Sequence, residues 1–438
     1  MSNTPLSDFL DEYAASNAAR FHMPGHKGTD GIEKYDITEI DGAGNLFSNE
    51  GIIRESEEAA SFLFGCRTYY SAEGSSLPIR TMLALAAKRR PGKVLAGRNA
   101  HRALLSAAIL LDLDVEWIYP EEDEPYLSCT LSGDKVAKAI DSSDTPVSCV
   151  YVTSPDYLGN VSDIKTIAEI CRERDILLLV DNAHGAYLKF LSPSRHPIDL
   201  GADMCADSAH KTLPVLTGGA YLHLSERAEK LFADEVKETM ELFASSSPSY
   251  LIMRSLDRAN AYLETFPDAL RAFSEKVETL RSRLAAAGFE LVGSEALKIT
   301  VFAKPYGYTG DELSDILYRE GVICEFHDPD FISFMLTPEN TDCDLERLGA
   351  ALTSVERRRP LPSGFPKCSR PLRAMSPREA FFAPCERVPV ERSVGRVFAS
   401  TSVSCPPAVP IAVCGEVIDE AAVKLLGYYG YKKVKVTK

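Results

Sequence analysis

The stretch "ILLLVDNAHGAYL", residues 176–188, decides the fold. Residues 176–180 are apolar at every position. A strand with one wet face alternates apolar and polar residues. An unbroken apolar run is covered on both faces, as in a parallel sheet with helices packed on each side. Such a strand delivers Asp181 to its carboxyl edge, with His184, Gly185 and Ala186 in a tight loop just beyond. Ligands of open α/β sheets bind outside the carboxyl ends of the strands.

Working outward, the chain alternates strands and helices from 51 to about 225. "ESEEAASFLFG" reads as a helix stopped by Gly65, and "GSSLPIRTMLALAAKRRPG" as a polar turn, a helix and a Pro-Gly stop. "KVLAG" and "PVSCVYVTS" read as strands, and "HRALLSAAILLD" and "DIKTIAEICRERD" as helices. Two long helices follow, over "SPSYLIMRSLDRANAYLETF" and "ALRAFSEKVETLRSRLAAAG". "KITVFAKP" and "FISFML" are strands of a smaller unit, and "TGDELSDILYREG" is its capped helix. "RRRPLPSGFPKCSRPLRAMSP" has the composition of a linker. The expected organisation is an N-terminal arm (1–50), a large doubly wound α/β domain (51–260), a smaller α+β domain (261–360) and a linker with a short C-terminal domain (361–438).

The 438 residues, 45% hydrophobic, suffice for one large core and a second, smaller one. A net charge of -15 without a basic block excludes a nucleic-acid binder. The acidity suits solubility first and attraction of a cationic substrate second. No apolar run has the length of a membrane span, and the start lacks the pattern of a signal peptide, so a cytoplasmic protein is expected. The 11 cysteines include no CxxC pair and read as small buried hydrophobes.

Lys211, in "SAHKTLPVLTGG" (208–219), lies thirty residues beyond Asp181 (211 minus 181), room for a loop and one more strand. "GADMCADSAH" supplies that strand, so carboxylate and amine reach one sheet edge. Pyridoxal phosphate needs this pair. A lysine binds its aldehyde as a Schiff base, and a carboxylate keeps the ring nitrogen protonated. Its phosphate needs N–H groups and hydroxyls at a helix start. "AEGSSLPIRTM" offers Gly74 for close backbone approach, then Ser75 and Ser76. Ser208 and His210 flank the lysine, and His101, opening another helix, is a flat group for the ring face. Each piece alone has an ordinary reading as a cap, turn or core histidine. Their order along one α/β scaffold carries the weight. Lys27, in "PGHKG", is the rival lysine and lies outside the strand–helix core.

"FHMPGHKG", "DITEIDG", "TSPDYLGNVSDI", "DNAHGAYL", "SAHKTLPVLTGGAYLH", "SPSYLIMRSLD", "MSPREAFFAP" and "CPPAVPIAVCGE" together resemble the pyridoxal-phosphate-dependent ornithine/lysine/arginine decarboxylases, in their shorter form, from about residue 5 to about 420. The resemblance implies an aspartate aminotransferase-like large domain with a mixed, mostly parallel sheet. It implies Lys211 as the Schiff-base lysine, Asp181 as the partner of the ring nitrogen and His101 as the ring-stacking histidine. Ser75, Ser76, Ser208 and His210 match positions near the phosphate or the lysine linkage, and His184 should lie close to the cofactor. It also implies a homodimer or an oligomer of dimers. The sequence departs from the family pattern at Asn45, Asn49, Glu73, Ala408 and Cys414, which leaves the substrate open.

The expected reaction is α-decarboxylation of arginine, lysine or ornithine. Lys211 or His210 returns the proton, and Glu416 is the candidate holder of the distal cation; as a residue after a turn, it would otherwise lie at the surface. An aminotransferase or a lyase on the same cofactor is the alternative, with Arg373 as a possible clamp on the α-carboxylate. A non-catalytic paralogue that keeps the fold is a second.

Overall fold

The computed structural model describes residues 3–16, 18–29, 31–121, 124–366, 368, 370–401 and 409–438. Ala408, one of the departures, lies outside them. The chain divides into two compact units, Met1–Pro91 with Ile164–Ala269, and Gly92–Asp163 with Leu270–Lys438. The segment expected as one large domain contributes to both.

In the first unit the strands run in the order Arg67–Ser71, Ala220–Leu224, Met204–Asp207, Leu177–Asp181. Leu177–Asp181 lies parallel to Met204–Asp207, and the other two pairings are antiparallel. Every residue of Leu177–Asp181 is buried, as its unbroken apolar run requires. The helix Ile52–Phe64 ends at Gly65, whose φ of 63° is a left-handed C-cap. Ile164–Glu173 buries its apolar stripe of Ile164, Ile167, Ala168 and Cys171.

In the second unit Val147–Thr153, Lys93–Gly97 and Val115–Ile118 are parallel neighbours. A separate antiparallel sheet runs Phe326–His327, Phe331–Met335, Lys298–Phe302, Glu290–Val292. Its helix Gly310–Arg319 opens with a capping box between Thr309 and Glu312. Cys385–Pro389 pairs with Lys433–Thr437, and Phe398, Ile411, Leu426 and Val436 are among the residues of the core beside them. Arg359–Met375, where described, contains no helix, in keeping with its linker composition.

Candidate active site

The first unit gathers the residues quoted from its three motifs. Asp181 ends a strand, is 2% exposed, and accepts the N–H of Ala183 at 3.2 Å. The loop then turns: Gly185 N–H bonds the Asn182 carbonyl at 2.7 Å, and His184 is buried between. A β-carbon on Gly185 would meet Asn182 Oδ1 at 2.0 Å, so only glycine fits this turn.

The neighbouring strand Met204–Asp207 leads straight into the one-turn helix Ala209–Thr212, which carries His210 and Lys211. Both are partly buried. His210 points Nδ1 at the Gly219 carbonyl, 2.9 Å away, and its N–H bonds the same oxygen at 3.1 Å. A carbonyl only accepts, so Nδ1 carries the proton and Nε2 the lone pair. Gly74 N–H bonds the Gly218 carbonyl at 2.6 Å, and Gly74 needs its glycine for a φ of 64°. The Gly-Gly pair that closes the lysine motif thus ties the lysine turn to the GSS turn.

Ser75 is the N-cap of the 14-residue helix Ser76–Arg89, yet its side chain makes no capping bond. Ser132, Ser225 and Ser249 all accept a backbone N–H from their own helices. Ser75 Oγ instead accepts from Ser208 Oγ at 2.9 Å. The first-turn N–H groups have no partner within the helix, and Pro78 supplies none. Glu73, in place of the family asparagine, is exposed and accepts the Ser245 N–H at 2.5 Å.

Behind these residues lies a polar cluster that the sequence reading missed. Asp207 Oδ2 is 3.0 Å from His196 Nε2 and 3.2 Å from His223 Nε2, and Asn182 Nδ2 donates to Oδ1 at 2.7 Å. Burial alone would raise the Asp207 carboxyl, but the two imidazoles hold it well below its ordinary value. Burial pushes the His223 imidazole down, against the pull of Asp207. The only available signal was an aspartate and a histidine inside otherwise apolar strands.

Other quoted residues lie elsewhere. Lys27 sits in the irregular arm, exposed, and donates to the His22 carbonyl at 2.6 Å. Asn45 makes a local turn, accepting the Phe47 N–H at 2.7 Å, and Asn49 is exposed. In the second unit His101 caps Arg102–Leu111, its Nδ1 accepting the Ala103 N–H at 3.2 Å. Nε2 of the neutral ring then carries the proton. Cys414 is buried, and burial pushes its thiol up to about 12. Arg373 is half-exposed and pairs with Asp114.

Glu416 requires a correction. It is not at the surface: it is 3% exposed, and Arg98 Nη2 lies 3.0 Å from its Oε2. The same guanidinium donates to the carbonyls of Pro410 and Ile411, and Val413 N–H bonds Glu416 at 2.7 Å. Burial raises the carboxyl above its ordinary value even with Arg98 beside it. A carboxylate matched in this way holds the fold rather than a ligand.

Comparison with known proteins identifies the lineage. Residues 4–302 match the Orn/Lys/Arg decarboxylase major domain, and 365–434 match the C-terminal domain of that family. The arginine decarboxylase of Halalkalibacterium halodurans is 30% identical, with 95% of this chain and 91% of that protein covered. The arginine decarboxylase of Bacillus subtilis is 29% identical at the same coverage. The constitutive lysine decarboxylase of E. coli superposes with a TM-score of 0.79 over 99% of this chain and 82% of that one, at 17% identity. Lysine decarboxylase A of Pseudomonas aeruginosa gives 0.78 over 99% and 80%, at 18% identity. These structures establish the aminotransferase-like α/β fold, and the sequence matches establish the lineage: the chain belongs to the Orn/Lys/Arg decarboxylase family and is an amino acid decarboxylase.

Proposed function

We propose that the chain decarboxylates arginine to agmatine, with pyridoxal phosphate held by the first unit's three turns. The observation that carries the cofactor reading is Ser75, an N-cap serine that leaves its own helix uncapped and bonds Ser208 beside the lysine turn. Hydroxyls and first-turn N–H groups in this arrangement fit a phosphate. When bound, pyridoxal phosphate supplies a protonated ring that accepts the electron pair released as carbon dioxide leaves.

The chain's residues divide the remaining work. Asp181, buried at a strand end, holds the proton on the ring nitrogen, because a low-dielectric carboxylate favours a cation beside it. Lys211 would hold the cofactor's aldehyde, and its amine, once free, would carry the proton to the substrate carbon. His210, whose Nδ1 faces the Gly219 carbonyl at 2.9 Å, is the second candidate for that step. His101 is assigned to the ring face on resemblance alone. Arginine is preferred because the relatives near 30% identity carry the name arginine decarboxylase. Glu416 drops out as the holder of its guanidinium, being paired with Arg98. A homodimer in the cytoplasm is the setting this reading assumes.

The test is turnover. Protein loaded with pyridoxal phosphate is given arginine, lysine or ornithine separately, and agmatine, cadaverine or putrescine is sought by mass spectrometry. Agmatine is expected, with Lys211→Ala slower by at least about 10³-fold. Borohydride reduction and peptide mapping should place a pyridoxyl group on Lys211, not Lys27. Cadaverine or putrescine alone would overturn the arginine assignment. No amine from any of the three would overturn the basic-substrate reading.

A further inference from the structure

We propose that His196, Cys205, Asp207 and His223 form a buried binding site for a divalent metal ion of the zinc class, separate from the residues assigned to pyridoxal phosphate. Three of the four donors are set by backbone register. Cys205 and Asp207 alternate by two on Met204–Asp207 and so share one face of the sheet. His223, on Ala220–Leu224, pairs directly with Cys205 and presents its side chain on that same face. His196 comes in from the loop before Met204. All four residues are 0% exposed.

The spacing of His196, Asp207 and His223 suits one ion, their ligand atoms all lying within 4.8 Å of one another, with Cys205 beside them. Zinc–nitrogen and zinc–sulfur bonds of about 2.0–2.3 Å put neighbouring ligand atoms roughly 3.3–3.6 Å apart. The corresponding separations here are 3.0 Å for His196 Nε2 to Asp207 Oδ2 and 3.2 Å for His223 Nε2 to the same oxygen. Cys205 Sγ lies 3.3 Å from Asp207 Oδ1 and 4.0 Å from His196 Nε2.

Proton positions favour a cation between these groups. Thr68 Oγ1 has one proton, which it directs to the Cys66 carbonyl at 3.2 Å. His223 Nδ1, 2.9 Å from Thr68 Oγ1, is then the donor of that pair. His223 Nε2 faces an Asp207 carboxylate oxygen at 3.2 Å. An outer ring N–H bonded to an oxygen would leave this inner nitrogen available to a metal. Charge points the same way. Among the described residues the ion pairs of Asp207 are with the two histidines alone, and a buried carboxylate needs a cation. One divalent ion with the Asp207 carboxylate and the Cys205 thiolate is neutral overall. The thiol proton leaves to solvent as the ion binds, and nothing is oxidised or reduced.

The experiment uses full-length, untagged protein from zinc-supplemented culture. Metal content is measured by mass spectrometry as purified. The protein is then unfolded with a chelator and refolded with zinc, with cobalt or with neither. The expected result is about one metal ion per chain, a higher Tm after refolding with zinc, and a thiolate-to-cobalt absorption band. That band should vanish in Cys205→Ser, and His223→Gln should lose most of the metal. Folded protein that carries no metal and whose Tm ignores zinc would overturn the proposal. So would full metal content in His223→Gln. Should His223→Gln fail to fold, a cobalt band that persists in Cys205→Ser would overturn it instead. None of these readouts depends on pyridoxal phosphate or on turnover.

Discussion

Asp181 and Glu416 are buried almost equally, at 2% and 3% exposure, and the chain treats them in opposite ways. Glu416 faces Arg98, whose guanidinium also takes two backbone carbonyls. That is a closed set of charges, and its product is a fixed fold around Pro410–Glu416. Asp181 ends a parallel strand and takes the N–H of Ala183. The contrast is one of place: the proposed function puts its acid at the end of a parallel strand, where ligands of α/β sheets bind, and burial alone does not distinguish the two.

The largest expected effect tests the Asp181 half of that contrast. Asp181→Asn keeps the shape and an oxygen for the Ala183 N–H but removes the charge. Turnover should fall by about 10³-fold, as for loss of a principal electrostatic group in an active site. The Tm without cofactor should move little. If the variant keeps wild-type kcat, Asp181 is a turn residue and the contrast with Glu416 collapses.

Glu416→Gln tests the other half. It leaves Arg98 buried without a counter-charge, which costs about 3 kcal/mol of stability by the precedent of broken buried pairs. Thermal or denaturant unfolding reads this directly. Activity per folded molecule, with arginine saturating, should be unchanged. Arg98→Met together with Glu416→Leu should recover much of the lost stability, because an apolar pair has no charge to desolvate. A raised KM for arginine in Glu416→Gln, with stability intact, would restore Glu416 to the substrate.

The sequence disclosed the parts of this molecule that depend on local pattern. The apolar run at 176–180 forecast a strand buried along its whole length, and Leu177–Asp181 is that strand. Gly65, Thr309 and the "DIKTIAEICRERD" stripe marked helix boundaries and faces that the structure reproduces. Arg67–Ser71 escaped notice because "RTYYS" is half polar. Its polar side chains are satisfied across the fold, Thr68 by His223 and Ser71 by the Gly74 carbonyl. The motif order brought Ser75, Asp181, Ser208 and Lys211 under suspicion. The bond from Ser208 to Ser75 was not legible, because it joins residues 133 apart. Arg98 and Glu416 are 318 apart, and no spacing rule connects them. A glutamate after a turn usually meets water, and only the fold shows that this one meets Arg98.

A third buried carboxylate sharpens the comparison by having neither fate. Asp328 Oδ1 accepts the N–H groups of Asp330 and Phe331, each at 2.7 Å, and its buried Oδ2 makes no hydrogen bond. Burial lifts the carboxyl from 3.8 to about 7; the two N–H groups oppose this, and the nearby Asp330 charge adds to it. The folded chain therefore holds a proton here that the unfolded chain has already released between those two values. Wherever the native state binds more protons, stability falls as pH rises. Asp328 should thus be harmless below about pH 4 and most destabilising above about pH 7, by roughly 4 kcal/mol. Asp328→Asn keeps Oδ1 as acceptor and removes the charge. Its Tm relative to wild type should climb by a few degrees between pH 5 and pH 8. A difference that stays flat across that window would mean Asp328 is ionised throughout, and that a counter-charge balances it much as Arg98 balances Glu416.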